Sequence, residues 1–358
     1  MTLPFLKKSA GTKRDQMLAV DLGNRTTKAV HLARKDGGMA LCGYALLDAP
    51  IFEREMSADL LAEHLKAVAQ ALQPKTKLVA LTLSANDAVV RSVDTPRLPM
   101  DDLRSVLKHN SRTYLQQELP GYVFDGHVML SYVQPDAGKP GQITAGLQKQ
   151  RVLVAAARSQ QVTNYVEGAK AAGLVPDHII PGMVGPVNAF ELAQPEVFQN
   201  ESVALVDIGF KHSSICVLQK GELVLSRIVA LGGDRLTASL SESMNISYAE
   251  AEGIKVGMPQ EVQSALESVL VPLGRELRAS IDFFEHQQDK VVSRVFISGG
   301  SARSDIVMNT MQAELMVECK TWDPTRFLQV EVPPQQTTDL AEVAPQLAVA
   351  IGAALTAL

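Results

Sequence analysis

Leu18-Ala-Val-Asp21-Leu-Gly23-Asn24-Arg-Thr26-Thr27-Lys28-Ala-Val30 returns in altered form as Ala204-Leu-Val-Asp207-Ile-Gly209-Phe-Lys211-His-Ser213-Ser214-Ile-Cys-Val217. Each copy reads as a buried strand ending in Asp-x-Gly, a polar turn with small hydroxyl residues, and a second apolar strand. One such pattern is ordinary strand-to-turn chemistry. Two copies, opening the two halves of a 358-residue chain, point to two similarly built domains facing each other. The device suits phosphate, because a Gly-containing turn lets backbone N–H groups approach an anion with no Cβ in the way. Thr26, Thr27, Ser213 and Ser214 offer hydroxyls, and Lys28 or Lys211 offers charge. Bare phosphate would repel Asp21 and Asp207. A strand-end aspartate makes sense beside hydrated Mg²⁺, which keeps several waters and takes few protein ligands.

Two further stretches agree. Val295-Phe-Ile-Ser-Gly299-Gly300-Ser301-Ala-Arg303-Ser-Asp305 reads as a strand, a Gly-Gly turn and a helix running through Ile306 to Leu315, with Ser301 as its N-cap. Glycines between a strand and a helix N-terminus let a flat base or a phosphate lie against the backbone. Ser247-Tyr-Ala-Glu250-Ala-Glu252-Gly-Ile-Lys255-Val-Gly257 reads as a short helix with a Ser247/Glu250 capping box and a stop at Gly257. Glu252 and Lys255 share one helix face, where they pair with each other or both reach one ribose.

In this order the motifs resemble the nucleotide site of actin, the large heat-shock chaperones and the sugar kinases. The resemblance implies an α/β, two-domain actin-like (ribonuclease H-like) ATPase fold that binds ATP and Mg²⁺ between its domains. It implies that Asp21, Gly23, Asn24, Thr26, Thr27 and Lys28 face the phosphates from one side, and Asp207, Gly209 and Ser213 from the other. Asp21 and Asp207 would hold Mg²⁺ through water. Glu252 and Lys255 would hold the ribose, with Gly299, Gly300, Ser301 and Arg303 around the base. Leu231-Gly-Gly-Asp-Arg-Leu-Thr-Ala-Ser-Leu240, the apolar closing helix Ala344 to Leu355, Thr95-Pro-Arg-Leu-Pro-Met-Asp-Asp-Leu-Arg and Tyr114-Leu-Gln-Gln-Glu-Leu-Pro120 narrow the similarity. Together they resemble the PilM family of type IV pilus assembly proteins over roughly Met17 to Leu358.

The middle of the chain carries its own expectation. Asp101 to Leu119 has helical apolar spacing, Phe124 to Val133 alternates as a strand, Gly138 to Gly141 turns, Arg151 to Ala157 is a second strand, and Gln160 to Ala172 is a helix ending at Gly173. That makes a small α+β subdomain. The expected organisation is a flexible tail over 1–16, a first actin-like domain over 17–95 and 178–199, and the inserted subdomain over 96–177. A second actin-like domain follows over 200–240 and 291–358, with a helical nucleotide-binding subdomain over 241–290. The resemblance implies that a groove between insertion and first domain takes the N-terminal cytoplasmic tail of a PilN-like inner-membrane protein. An extended peptide there gains backbone hydrogen bonds. A pilus motor or platform protein is a second expected partner, and the fold permits homo-oligomers.

Composition sets the background. Hydrophobic residues make up 46% and charged residues 20%, so the chain folds; the net charge of −5 does not favour nucleic acid. Cys42, Cys216 and Cys319 are three and widely spaced, as reduced thiols of a cytoplasmic protein would be. No run approaches the roughly 20 apolar residues of a membrane span, and the start does not read as a signal peptide. The expected location is the cytoplasm, peripheral at the inner membrane through partners. Gly37-Gly38 reads as a hairpin tip, and Trp322 carries no functional signal.

One departure bears on mechanism. PilM relatives commonly open the helix after Gly173-Leu-Val-Pro-Asp177-His178-Ile179 with two acidic residues, where this chain has Ile180 and Gly182. A water attacking a γ-phosphate needs a polar residue to orient it. Here only His178 offers one, so the expectation is nucleotide binding with slow or absent hydrolysis and no catalytic residue. Two other readings are a small-molecule kinase of the same superfamily, whose base would come from Asp87, Asp94 or Asp125, and an FtsA-like division protein. The latter usually ends in a basic amphipathic helix, which is not seen before Leu358.

Overall fold

In the computed structural model, which describes residues 14–52, 55–129 and 149–358, β1 (Gln16–Asp21), β2 (Thr26–Lys35) and β3 (Gly38–Asp48) form an antiparallel meander. Helix α1 (Ala58–Leu72), capped by Ser57, leads into β4 (Leu78–Leu83), which lies parallel to β1. Next come β5 (Ala88–Pro96), α2 (Met100–His109), α3 (Ser111–Leu115), β6 (Tyr122–Val128) and β7 (Lys149–Arg158). Strand β7 lies between β5 and β6, antiparallel to both. Helix α4 (Ser159–Ala171) returns the chain to β8 (Val175–Pro181), parallel to β4, and α5 (Gly185–Ala193) and α6 (Pro195–Asn200) cross to the second half.

The second half repeats the plan. Strands β9 (Ser202–Ile208), β10 (Ser213–Gln219) and β11 (Glu222–Val229) form a meander, followed by α7 (Gly233–Met244), α8 (Tyr248–Gly257) and α9 (Gln263–Gln288). Strand β12 (Arg294–Ser298) lies parallel to β9, and α10 (Asp305–Leu315) leads to β13 (Glu318–Thr321). The chain then crosses back: β14 (Leu328–Val330) pairs with β3 before α11 (Pro334–Val343) and α12 (Ala348–Ala357). The sheet orders are β14-β3-β2-β1-β4-β8, β11-β10-β9-β12-β13 and β5-β7-β6.

The unbroken apolar runs of β1 and β9 follow from burial on both faces. Leu18 and Val20 pack with Leu61 and Leu65 of α1, while Met17 and Ala19 join the core that holds Phe190 of α5 and Ile351 of α12. In β9, Ala204 and Val206 face Leu270 and Leu277 of α9, and Val203 and Leu205 face that same α5/α12 core. Helices α5 and α12 therefore join the two halves. They cross so closely at Gly185 and Gly352 that a Cβ on Gly352 would collide with the Gly185 carbonyl. The run Pro334–Ala357 is, among the described residues, the one helical stretch long and apolar enough to cross a membrane, against the expectation that none approaches that length; 72% of its most apolar window is buried in this core.

The sheets divide the chain differently from the expected boundaries. The three-stranded sheet begins with Ala88 rather than residue 96, because β5 pairs with β7 across a long sequence separation. Helix α4 packs on α1 in the first half instead of on the insertion, as Tyr165 and Ala169 share a core with Leu61. Strand β14 belongs to the first sheet despite its late position. The expected tail ends earlier, since Gln16 opens β1. Residues 1–13 and 130–148, including the expected Gly138–Gly141 turn and the end of the Phe124–Val133 strand, lie outside the described residues.

Candidate functional site

The two Asp-x-Gly hairpins face each other across a cleft of about 720 Å³. Both turns require glycine. A Cβ on Gly209 would lie 2.7 Å from the His212 carbonyl oxygen, and one on Gly23 would strike the Thr26 carbonyl oxygen. The aspartates are held alike. Thr82 Oγ1 donates to Asp21 Oδ1 at 2.9 Å, and Ser298 Oγ donates to Asp207 Oδ1 at 2.9 Å. In each case the hydroxyl stands opposite the aspartate on the neighbouring parallel strand, β4 or β12. Lys28, opposite Asp21 on β2, reaches Asp21 Oδ2 at 3.5 Å.

Burial pushes the Asp207 carboxyl above its usual range, the Ser298 hydrogen bond and Lys28 pull it back, and the charge of Asp21 pushes it up again. Two carboxylates that feel each other across a cleft gain from a cation between them. Among the described residues no three His, Cys, Asp or Glu side chains cluster to cage a metal. Two carboxylates with waters completing the shell suit Mg²⁺, so the residues present fit that ion.

Helix α8 forms the next wall. Its capping box is made as expected, with Ser247 Oγ accepting from the Glu250 N–H and Glu250 accepting from the Ser247 N–H. Glu252 and Lys255 pair at 2.7 Å, but inside the cleft rather than on the outer surface, each about one-sixth exposed. Lys255 Nζ also donates to Thr237 Oγ1 at 2.7 Å, and the Thr237 hydroxyl donates to Glu252. Burial works against the charge of Glu252, yet Lys255, Thr237 and Arg25 outweigh it and hold its carboxyl below the usual range. At the far end Gly299, Gly300, Ser301 and Arg303 line the cleft beside Ile306 and Val307. Ser301 is not the cap expected of it: the helix begins at Asp305 with Ser304 before it, and Ser301 sits in the turn.

Asp21, Gly23, Asn24, Thr26, Lys28, Asp207, Gly209, Glu252, Lys255, Gly299, Gly300, Ser301 and Arg303 thus line one cleft. Thr27 and Ser213 do not. Thr27 is fully buried on the other face of β2, its Oγ1 2.7 Å from His64 Nε2, and Ser213 Oγ donates to the Leu231 carbonyl at 2.7 Å. Ser214 lines the cleft instead. His178 is buried behind the site, its Nδ1 2.7 Å from Asp177 Oδ2. Gly182, Met183 and Pro186 form the cleft wall there. Asp87 accepts from Gln161 at 2.9 Å, Asp94 from Arg151 at 2.9 Å and Asp125 from Arg104 at 2.8 Å, and none of the three lines the cleft. Sequence reasoning missed Thr82, Ser298, Thr237 and Arg25. The first two needed the sheet order, and the others needed contacts between distant segments.

The model of a family described as "Type IV pilus assembly protein PilM" matches residues 19–358. The chain is similar to the cell division protein FtsA of Bacillus subtilis strain 168, 37% identical over 70 residues; the match covers 20% of this chain and 16% of FtsA. Among solved structures, a "PilM-PilN type IV pilus biogenesis complex" superposes with a TM-score of 0.82 at 24% identity, covering 96% of this chain and 99% of that one. MreB 5 of Spiroplasma citri bound to AMPPNP superposes with a TM-score of 0.51 at 9% identity, covering 95% of each chain. The actin-like fold that the resemblance implied is the fold observed.

Proposed function

The chain belongs to the PilM family of type IV pilus assembly proteins, and from that premise we propose that it is a nucleotide-responsive adaptor of an inner-membrane pilus platform. On this reading ATP and Mg²⁺ occupy the cleft, and the protein binds the cytoplasmic tail of a PilN-like membrane protein. It works in the cytoplasm, at the inner membrane through its partners.

The observation that carries the nucleotide half is the pair of equivalent aspartates, each fixed by a hydroxyl from a neighbouring strand and facing each other across the cleft. Asp21 and Asp207 would hold the ion's waters, and Mg²⁺ would neutralise phosphate charge between them. Lys28 and the backbone of both turns would bind phosphate oxygens, Glu252 and Lys255 the ribose, and the Gly299-Gly300 turn the base. Gly182, Met183 and Pro186, on the wall where relatives commonly carry acidic residues, offer no carboxylate to orient a water. On this reading hydrolysis is slow or absent. A kinase reading loses support because Asp87, Asp94 and Asp125 are bound elsewhere.

Coupling of nucleotide to partner is supported by contacts of the three-stranded sheet. Ser226 Oγ on β11 donates to the Val90 carbonyl on β5 at 3.2 Å, and Val90 shares a core with Leu223. A change in the angle between the halves would therefore reach the inserted sheet. The test is a titration of Mg²⁺–ATP on the wild type and Asp207→Ala, with phosphate release and affinity for a PilN-like peptide followed in the same samples. Binding that needs Asp207, little release, and peptide affinity that differs with nucleotide are expected. Rapid release would point to an enzyme, and peptide affinity indifferent to nucleotide would remove the switch.

A further inference from the structure

Arg25 belongs to the first hairpin, yet it ends on the opposite wall. Its Nη1 lies 2.7 Å from Glu252 Oε1, and its Cζ sits 5.4 Å from the centroid of the Phe210 ring in the second hairpin. One side chain thus bridges the first hairpin, the second hairpin and α8 across the cleft. We propose that Arg25 competes with the ribose hydroxyls for Glu252, and so sets how strongly the cleft distinguishes ribonucleotides from nucleotides lacking the diol. This rests on the nucleotide reading above.

Acceptor capacity at Glu252 decides the competition. A carboxylate offers about four lone-pair sites. Glu252 already receives three donors: Arg25 on Oε1, and Lys255 and Thr237 on Oε2. One site remains, whereas a diol bound through both hydroxyls needs two. Of the three donors, Thr237 is fully buried, and Lys255 is tied as well to Thr237 and to the Gly233 carbonyl at 3.4 Å. Arg25 has a side chain 44% exposed and holds the carboxylate by one contact. It is the donor that yields. Phe210 gives the displaced guanidinium a surface to remain on, since an arginine over an aromatic face is favourable without a carboxylate.

The test compares ATP with 2′,3′-dideoxy-ATP, each with Mg²⁺, on the wild type and Arg25→Met, by calorimetric titration. The ratio of the two dissociation constants cancels any effect of Arg25 on the phosphates and any general loosening of the fold. An exposed ion pair contributes little, so removing the competitor should raise the preference for ATP by about two- to fivefold. Glu252→Gln should bring the preference close to one, and adding Arg25→Met to it should then change nothing. An unchanged or smaller preference in Arg25→Met overturns the proposal while leaving ATP binding standing. A wild type that binds neither nucleotide overturns the nucleotide reading, and the competition with it.

Discussion

Ser298→Ala takes away one hydrogen bond from Asp207, the aspartate proposed to face Mg²⁺ from the second hairpin. Ser298 is buried, and its hydroxyl donates to Asp207 at 2.9 Å. A hydrogen bond to a charged group contributes about 1.5–3 kcal/mol, and about 1.4 kcal/mol corresponds to one pH unit of titration. Removing it should raise the pH at which Asp207 takes up a proton, because the Ser298 hydrogen bond is the strongest influence holding the carboxylate ionised. Burial and the charge of Asp21 already push in that direction, so the variant's carboxyl takes up a proton closer to neutrality. On the proposed reading only ionised Asp207 would order water around Mg²⁺, so as pH falls through its pKa the Mg²⁺–ATP affinity should fall, by up to about tenfold per pH unit. Calorimetric titrations from about pH 5.5 to 8.5 check this, and the titration of ATP itself is common to both proteins. The two proteins should agree at the alkaline end and diverge in acid, with the variant's break displaced upward. With chelator and no Mg²⁺ the divergence should vanish or reverse, because a protonated Asp207 repels phosphate less. Parallel pH profiles in the presence of Mg²⁺ would refute the assignment of Asp207 to the cation. The change deletes only one oxygen, so urea unfolding near neutral pH should show a loss of about 1.5–3 kcal/mol and an intact fold.

Gly352→Ala should lower unfolding stability by about 3 kcal/mol or more in urea titrations, because the new methyl collides with the Gly185 carbonyl where α12 crosses α5. Arg14→Ala should cost about 1–3 kcal/mol near neutral pH, since it strips a two-pronged contact, 3.0 Å on each side, from the buried Asp177. Burial alone would raise the Asp177 carboxyl, but Arg14 and His178 outweigh it and hold it below its usual value. Stabilisation of that sign is complete above the unfolded value of about 3.9 and is lost as pH falls through the lower folded one. The gap between wild type and Arg14→Ala should therefore close only in strong acid, and a gap that closes near pH 6 would contradict the arrangement.

The hairpins were legible because strand-end aspartates and turn glycines answer to local sterics. The facing of their hydroxyls was legible too, but only by applying the two-residue period strictly. Lys28 stands opposite Asp21, so Thr26 shares its face and Thr27 must point away. A reading that sends both threonines to phosphate breaks that alternation. In the second hairpin Ser214 stands opposite Asp207, which turns Ser213 to the other face. No local rule links Ala88–Pro96 to Lys149–Arg158, or Leu328–Val330 to β3. Those pairings decide which sheet each strand joins, which is why β5 and β14 sit in sheets that the linear order of the chain does not indicate.

Thr82 and Ser298 extend the duplication further than the sequence pattern does. Each half runs through a three-stranded meander and a helical crossover to a parallel strand, and that strand delivers a hydroxyl to the aspartate of its own hairpin. Neither hydroxyl lies in a shared motif: one ends Leu78-Val-Ala-Leu-Thr82 and the other ends Arg294-Val-Phe-Ile-Ser298. What the halves share is a register, aspartate opposite hydroxyl, and a register is invisible until strands are paired. If that register serves the cleft, Thr82→Val should weaken Mg²⁺–ATP binding as Ser298→Ala does, because it unfastens the partner carboxylate. A Thr82→Val protein with wild-type Mg²⁺–ATP affinity would make the symmetry a feature of folding alone. The two substitutions combined should then lose no more than Ser298→Ala does by itself. Coupled carboxylates sharing one ion should instead show a non-additive loss, since sites with a common partner do not add.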